Sequence, residues 1–129
     1  MTRKQAREEA FILIFEKQFS DATSQEILEL AQEVRDLEAD EYINEVFLGV
    51  VDKTEELNTV ISEKAIGWKI DRISKVSLAI LKLALYEIKY MEDIPSSVSI
   101  NEAVELCKKY ATKEDSGFVN GILASVVNA

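Results

Sequence analysis

The sequence predicts an all-α fold, on the evidence of its turn residues and its apolar spacing. The 129 residues include one proline and four glycines, whereas strand-rich folds need many turns and more of both residues. Apolar residues also recur at intervals of three and four in several segments, which is typical of amphipathic helices. A chain of this length suits one domain. We therefore expect about seven helices in one domain, residues 1–129, with subdomains of about 1–66 and 67–129.

Capping signals place the helices of the first half. A Thr followed three residues later by Gln or Glu forms a capping box at Thr2 and again at Thr23. Asp40 is a suitable cap for a long third helix, and Gly67 is suited to end it. The expected helices are about Arg3–Phe19, Ser24–Asp36 and Asp40–Ala65. Their expected core residues are Ala6, Ala10, Leu13, Ile14, Ile27, Leu30, Ala31, Val34, Ile43, Val46, Phe47, Val50, Leu57 and Ile61.

The second half contains the most apolar segment. After a short connection over 68–73, the segment from about Lys75 to Met91 is apolar almost all round, which predicts a central, buried helix. Pro95 ends it, because proline lacks an amide donor and disfavours helix before it. Ser99 and Glu102 suggest a capping box, so we expect a helix from Ile100 to about Tyr110. A last helix should cover about 115–127.

The residue inventory excludes several classes of enzyme. The chain has no histidine and one cysteine, so it lacks Ser-His-Asp catalysis, Cys-His catalysis and the usual zinc or haem ligand sets. No glycine-rich phosphate loop occurs. We expect no catalytic residues, no metal and no cofactor, and we place Cys107 in the core. No apolar run is long enough for a signal peptide or a membrane span, so we expect a cytoplasmic protein that does not contact membranes.

The charge is unevenly distributed along the chain. Between Asp21 and Glu63 there are 13 acidic and 2 basic residues, whereas the rest has 11 acidic and 13 basic residues, within a net charge of −9. This pattern fits an acidic face towards solvent or protein, with RNA confined elsewhere, although a solvated acidic surface explains the acidic segment equally well. The basic residues form three groups: Arg3, Lys4 and Arg7; Lys69, Arg72 and Lys75; and Lys108, Lys109 and Lys113.

The chemistry of these residues leaves two interpretations open. Cations in the first turn of a helix oppose its dipole, and bound phosphates would offset that repulsion. An ordinary solvated N-terminus is the alternative for Arg3, Lys4 and Arg7, and on the residues alone it is slightly favoured. Trp68 and Phe118 have the chemistry to stack on bases, but packing within the protein is the favoured interpretation for both.

Three stretches together resemble the NusB family. They are Ala6 to Ala10 followed by Ile14-Phe15, then Trp68 to Glu87, and finally Asp93 to Gly121, which contains Ile94-Pro95, Ile100-Asn101-Glu102-Ala103 and Phe118-Val119-Asn120-Gly121. The order and spacing of these motifs match the family over essentially the whole chain.

The resemblance implies both the fold and the function. The fold would be two small helical bundles packed as one compact domain. The function would be transcription antitermination: binding of the single-stranded boxA element of nascent ribosomal RNA together with the small-subunit ribosomal protein NusE, on an elongating RNA polymerase with other Nus factors. Carried over by residue, the RNA-binding positions are Arg3, Lys4, Arg7, Lys113, Phe118 and Asn120. The partner-binding positions are Phe15, Tyr86 and Glu87.

Two alternatives remain open at this stage. One is a protein-only adaptor with weak RNA affinity, which the net charge and the sparse basic groups favour slightly. In particular, Gly117 stands where many relatives carry a basic residue. The other is the RNA-binding accessory domain of a ribosomal RNA methyltransferase. Within the RNA-binding interpretation we expect Arg7 to be exposed beside the apolar stripe of its helix.

Overall fold

The computed structural model describes residues 1–128, and this part of the chain is all-helical. Seven α-helices and one 3₁₀ turn follow each other without strands between them. The helices are α1 (Arg3–Lys17), α2 (Ser24–Val34), α3 (Glu41–Asp52), α4 (Thr54–Lys64), α5 (Lys75–Tyr90), α6 (Ser96–Tyr110) and α7 (Lys113–Val127), and the 3₁₀ turn is Ile70–Arg72. The all-α prediction is confirmed. Within the described residues, no helix has both the length and the apolar character needed to cross a membrane.

Helix α5 is the centre of the fold, as its apolar sequence predicts. Eleven consecutive residues of this helix, 77–87, are buried. It packs against α1, α3, α4, α6 and α7. One continuous hydrophobic core includes residues from all seven helices, because a helix that is apolar all round must be covered on every side. The division into subdomains near Gly67 stays a prediction.

The third helix was predicted to be continuous, and that prediction is wrong. The chain turns at Lys53, between α3 and α4, where the backbone leaves helical geometry at φ −99° and ψ 13°. The hydroxyl of Thr54 donates to the carbonyl of Val50 at 2.8 Å, a bond of the kind that bends helices. The bend allows Leu57 and Ile61 to enter the core, with α4 against α5 and α7.

The predicted start of α6 is also wrong. The helix begins at Ser96, immediately after Pro95, whose φ of −60° suits a helix start. Ser99 is therefore inside the helix, where its buried hydroxyl donates to Glu87 instead of capping a helix end. Helix α7 starts two residues earlier than expected because Thr112 and Asp115 form a capping box.

Two predicted core residues of α2 are exposed. Leu30 and Val34 point to solvent, whereas Leu28 is buried beside Ile27 and Ala31. The helix docks on α1 and α3 through a face that is rotated about the helix axis from the predicted apolar face. The remaining predicted core residues of α1, α3 and α4 are all buried.

A close helix approach occurs at Gly49 of α3. A Cβ built at this position would overlap the ring of Tyr86 on α5. A larger residue therefore fits here only if the outer end of the Tyr86 ring or the α3–α5 contact shifts. At Gly67 the requirement is conformational, because its φ of +83° lies in the left-handed region.

Candidate nucleic-acid interface

The N-terminal cations divide into two exposed residues and one buried residue. A capping box between Thr2 and Gln5 starts α1, which leaves Arg3 and Lys4 exposed in its first turn. Arg7 lies one turn further on and is only 4% exposed. Our expectation that Arg7 is exposed is therefore wrong. Its position beside Ala6 and Ala10 turns it towards α5 rather than towards solvent.

The buried Arg7 is held by an acidic partner on α5. Its Nε donates to Oε2 of Glu87 at 2.7 Å, and a second guanidinium nitrogen lies 3.4 Å from Oε1. Burial alone would lower the pKa of Arg7, but the hydrogen bond and the charge of Glu87 raise it above its ordinary value. Arg7 therefore stays charged, and the pair links α1 to the central helix.

Glu87 also accepts hydrogen bonds from two other helices. The hydroxyl of Tyr42 on α3 and the hydroxyl of Ser99 on α6, the latter at 2.7 Å, both donate to its carboxylate. Burial, followed by the charge of Glu87, raises the pKa of Tyr42. Tyr42 and Ser99 were not predicted as members of this cluster. The available signal was Glu87 itself, since a carboxylate in an apolar helix needs buried donors.

The same cluster orients an exposed cation. The guanidinium carbon of Arg3 lies 4.6 Å from the ring centroid of Tyr42, in cation–π geometry. Arg7 approaches the same ring at 5.7 Å. The hydroxyl of Tyr42 is fixed by Glu87, so the ring that carries Arg3 is fixed too.

Two of the three predicted partner-binding residues are buried. Glu87 is fully enclosed and Tyr86 faces α3, so neither presents a side chain to a docking protein. Phe15 is half-buried and stands in a row of rings along α1, with its centroid 5.0 Å from that of Phe19, which is exposed. Of the three predicted partner-binding residues, Phe15 is therefore the most accessible, and it lies beside the exposed Phe19, which was not predicted.

A cleft of about 300 Å³ separates α1 from α6 and contains paired charges. Lys4 lies 3.3 Å from Glu102, and Lys109 lies 2.6 Å from Glu8. Hydrogen bonds from Lys109 and Tyr110 hold the pKa of Glu8 below its ordinary value. Phosphates that enter this cleft must compete with these carboxylates for the two lysines.

A second, more open groove of about 680 Å³ lies between α6 and α7. Lys108 lines both this groove and the α1–α6 cleft, so the two are neighbours. The groove residues are Ser97, Ile100, Asn101, Val104, Lys108, Lys113, Ser116, Gly117 and Asn120, none of them acidic. Within residues 1–128, Lys113 makes no ion pair. The fold thus brings Lys4 and the α6–α7 lysines to one face, whereas Arg3 lies over Tyr42 in a separate depression that also contains Glu41 and Glu45.

Phe118 lies on the other side of α7 from this groove. It is half-buried, and its ring makes an edge contact with Trp68 at a centroid distance of 5.7 Å. Trp68 is 55% exposed, so packing covers only part of it. Of the second basic group, Arg72 lies beside this aromatic pair, and none of Lys69, Arg72 and Lys75 lines the α6–α7 groove.

The fold and this face define the class of protein: an all-helical binding protein with a polar and cationic groove. The family model of the NusB family matches residues 4–128. Transcription antitermination protein NusB of Agathobacter rectalis is 46% identical over 96% of this chain and 98% of that protein. The protein of the same name from Ruminiclostridium cellulolyticum is 44% identical over 98% of this chain and 88% of that protein.

Solved structures agree with the sequence relatives. A structure of T. maritima NusB superposes with a TM-score of 0.86 at 30% identity, covering 99% of this chain and 92% of that chain. A crystal structure of the antitermination factors NusB and NusE in complex with dsRNA gives a TM-score of 0.87 at 25% identity, with 98% and 96% covered. The chain belongs to the NusB family, and it is a non-enzymatic protein.

Proposed function

We propose that this chain is a transcription antitermination factor that binds the boxA element of nascent ribosomal RNA together with ribosomal protein NusE. The observation that carries the proposal is the face on which Lys4 of α1 lines the α1–α6 cleft, which shares Lys108 with the neighbouring groove of Lys113. A related solved structure contains NusB and NusE in complex with dsRNA, which supports RNA as the class of ligand and NusE as the partner. The site of action would be the elongating RNA polymerase in the cytoplasm, with other Nus factors.

The residues of this face have complementary roles in the proposal. Lys4 and Lys113 contact phosphates on this face, and Arg3 contacts them from its place beside Lys4 in the first turn of α1, which supplies salt-sensitive affinity. Asn120 offers its amide to a base edge in the groove. Arg7 is enclosed, so its role is to hold α1 in place so that Arg3 and Lys4 are presented to RNA.

The partner would bind on a different part of α1. Phe15 and the exposed Phe19 form an apolar surface at the end of this helix. Glu87 holds the first half of α1 through Arg7, and Tyr86 packs on Gly49 of α3, so both act on the partner surface indirectly, by fixing these helices.

A protein-only adaptor is the second candidate, and one observation favours it. Lys4, Lys108 and Lys109 already face carboxylates of Glu102, Glu105 and Glu8. A phosphate that binds one of these lysines must first displace a carboxylate. It therefore gains less binding free energy than a phosphate that binds an unpaired cation. Strong RNA binding would then require the partner.

Fluorescence anisotropy of a labelled boxA RNA, with and without the partner and across a salt series, tests the proposal. We expect sequence-selective binding that the partner strengthens and that salt weakens. Lys113→Glu should weaken it and reduce the salt slope. Lys64→Glu is the matched control, because Lys64 lies at the end of α4 and lines neither the cleft nor the groove. Partner binding with no contribution from RNA would favour the adaptor, and equal losses in both variants would remove the groove from the proposal.

A further inference from the structure

A small depression lies beside the first turns of α7, on the opposite side from the α6–α7 groove. Its volume is about 150 Å³. Apolar walls come from Trp68, Phe118 and Ile73, and the polar lining residues are Arg72, Ser74, Ser77, Glu114 and Asp115. The residues of α7 alternate between the two sites: Lys113 and Gly117 line the groove, whereas Glu114 and Phe118 line the depression. A strand in the groove thus needs to cross only the first turns of α7 to reach it.

The depression contains a buried hydroxyl that has no partner in the protein. Ser77 is 1% exposed, and its Oγ makes no hydrogen bond within residues 1–128. The neighbouring Ser74 is already used, because its Oγ accepts from the amide of Ser77 at 3.1 Å and caps α5. An unsatisfied buried hydroxyl is costly, and Oγ of Ser77 is itself enclosed, so a small shift of the lining would let a ligand in the depression satisfy it.

The walls suit a flat ligand. The edge contact with Phe118 leaves 55% of Trp68 exposed. An exposed tryptophan beside a cavity of this size matches the stacking platforms on which single-stranded nucleic acids place their bases.

The rim selects among flat ligands. Glu114 is exposed and Asp115 is half-exposed, so both repel a phosphate. Oδ2 of Asp115 already accepts from Thr112 in the capping box, which leaves Glu114 and Oδ1 of Asp115 to accept hydrogen bonds from a ligand. A base with an exocyclic amine, such as adenine, cytosine or guanine, supplies such donors, whereas uracil has no amine. Arg72 is exposed at the edge, where it suits the phosphate of that nucleotide.

We propose that this depression receives one unstacked, amine-bearing base of the bound RNA, stacked on Trp68 and hydrogen-bonded to Ser77. The proposal rests on the proposed RNA-binding function and adds a base-reading site on the far side of α7.

The chain contains one tryptophan, so its intrinsic fluorescence reports directly on the depression. Titration of the full chain with boxA RNA and partner should quench Trp68 emission. A series of RNAs with one abasic position each should contain one member that no longer quenches, with affinity lower by on the order of tenfold. Replacing the same base by uracil should also weaken binding.

Variants distinguish a ligand site from a packing feature. Trp68→Leu should weaken RNA binding by about tenfold. Ile66→Ala is the matched control, because Ile66 is more exposed than Trp68 but does not line the depression. Ser77→Ala should reduce affinity a few-fold while leaving the melting temperature unchanged or higher, since no internal hydrogen bond is lost.

The outcomes separate this proposal from the proposed function. If RNA binds with the expected salt dependence, but Trp68 emission is unchanged and Trp68→Leu binds normally, the base site is refuted and RNA binding stands. Quenching by free adenosine or cytidine monophosphate, but not by RNA, would assign the site to a free nucleotide and overturn the proposal. If no RNA binds under any condition, the proposed function fails first and the base site fails with it.

Discussion

Nε of Arg7 lies 2.7 Å from Oε2 of Glu87, and both side chains are buried. A residue that the sequence places among exposed RNA-binding cations is thus part of the core. A buried ion pair is not by itself evidence of high stability, but removing one member leaves the other charge uncompensated. Arg7 also lies 3.8 Å from Glu102, a weaker contact that does not replace the first.

We predict that Arg7→Met lowers the free energy of unfolding by about 3–5 kcal/mol, because Glu87 would remain buried without its cation. Urea denaturation measures the change. The double variant Arg7→Met with Glu87→Leu should recover part of the loss, since no buried charge then remains unpaired. Arg35→Met is the control: Arg35 and Glu9 form an ion pair at 3.0 Å near the surface, where the cost should stay below about 1 kcal/mol. A small effect of Arg7→Met would show that the residue is accessible to solvent.

Leu81→Ala should lower the free energy of unfolding by about 2–5 kcal/mol, because it opens a cavity in the middle of α5. Leu81 is fully buried. The matched variant Leu30→Ala removes the same atoms at a position that is 60% exposed, and we expect a change within about 0.5 kcal/mol. Thermal unfolding of both variants provides the comparison, and equal losses would contradict the assigned burial of either residue.

Gly49→Ala should lower the free energy of unfolding by about 1–3 kcal/mol, because the added methyl group meets the ring of Tyr86 and forces α3 away from α5. Gly121→Ala is the same substitution inside α7, at a position with no neighbouring atoms within 4 Å of the new Cβ. It should stabilise the protein by up to about 1 kcal/mol, since alanine favours helix more than glycine does. Opposite signs in chemical denaturation support the close approach, and a gain from both changes would disprove it.

The thiol of Cys107 should be unreactive in the native protein. Burial, together with the nearby charge of Asp115, raises its pKa from 9.0 to about 11, and the thiolate is the reactive form. At pH 8 a thiol reagent should label the chain at the rate of its unfolding, and a denaturant should make labelling immediate. Fast labelling of native protein would contradict the burial.

The same pKa shift predicts a pH dependence of stability. The folded thiol keeps its proton above pH 9, whereas the unfolded thiol loses it, so this contribution is present below pH 9 and is lost as the pH rises towards 11. The difference in unfolding free energy between the native chain and Cys107→Ala should therefore shrink over this window. A constant difference would show that the thiol is not perturbed. Tyrosines and lysines that titrate in the same range are present in both proteins, so their contributions cancel in this difference.

Local signals in the sequence determined most of the helices. The capping boxes at Thr2 and Thr23 placed the starts of α1 and α2 correctly, because a cap is satisfied by residues within one turn. The apolar content of α5 identified the central helix for a similar reason, because it depends only on the consecutive residues of one segment. The family motifs likewise depend only on residue order.

Tertiary contacts decided what those local signals left open. Ser99 resembles a helix cap in the sequence, but in the structure its hydroxyl donates a hydrogen bond to Glu87 on α5. The burial of Arg7 and the exposure of Leu30 depend on which way each helix rotates when it docks. The cleft in which Lys4 meets Lys108 and Lys109, beside the α6–α7 groove, joins residues about a hundred positions apart. Helical spacing determines which residues share a face, and only packing of the whole chain determines what each face meets.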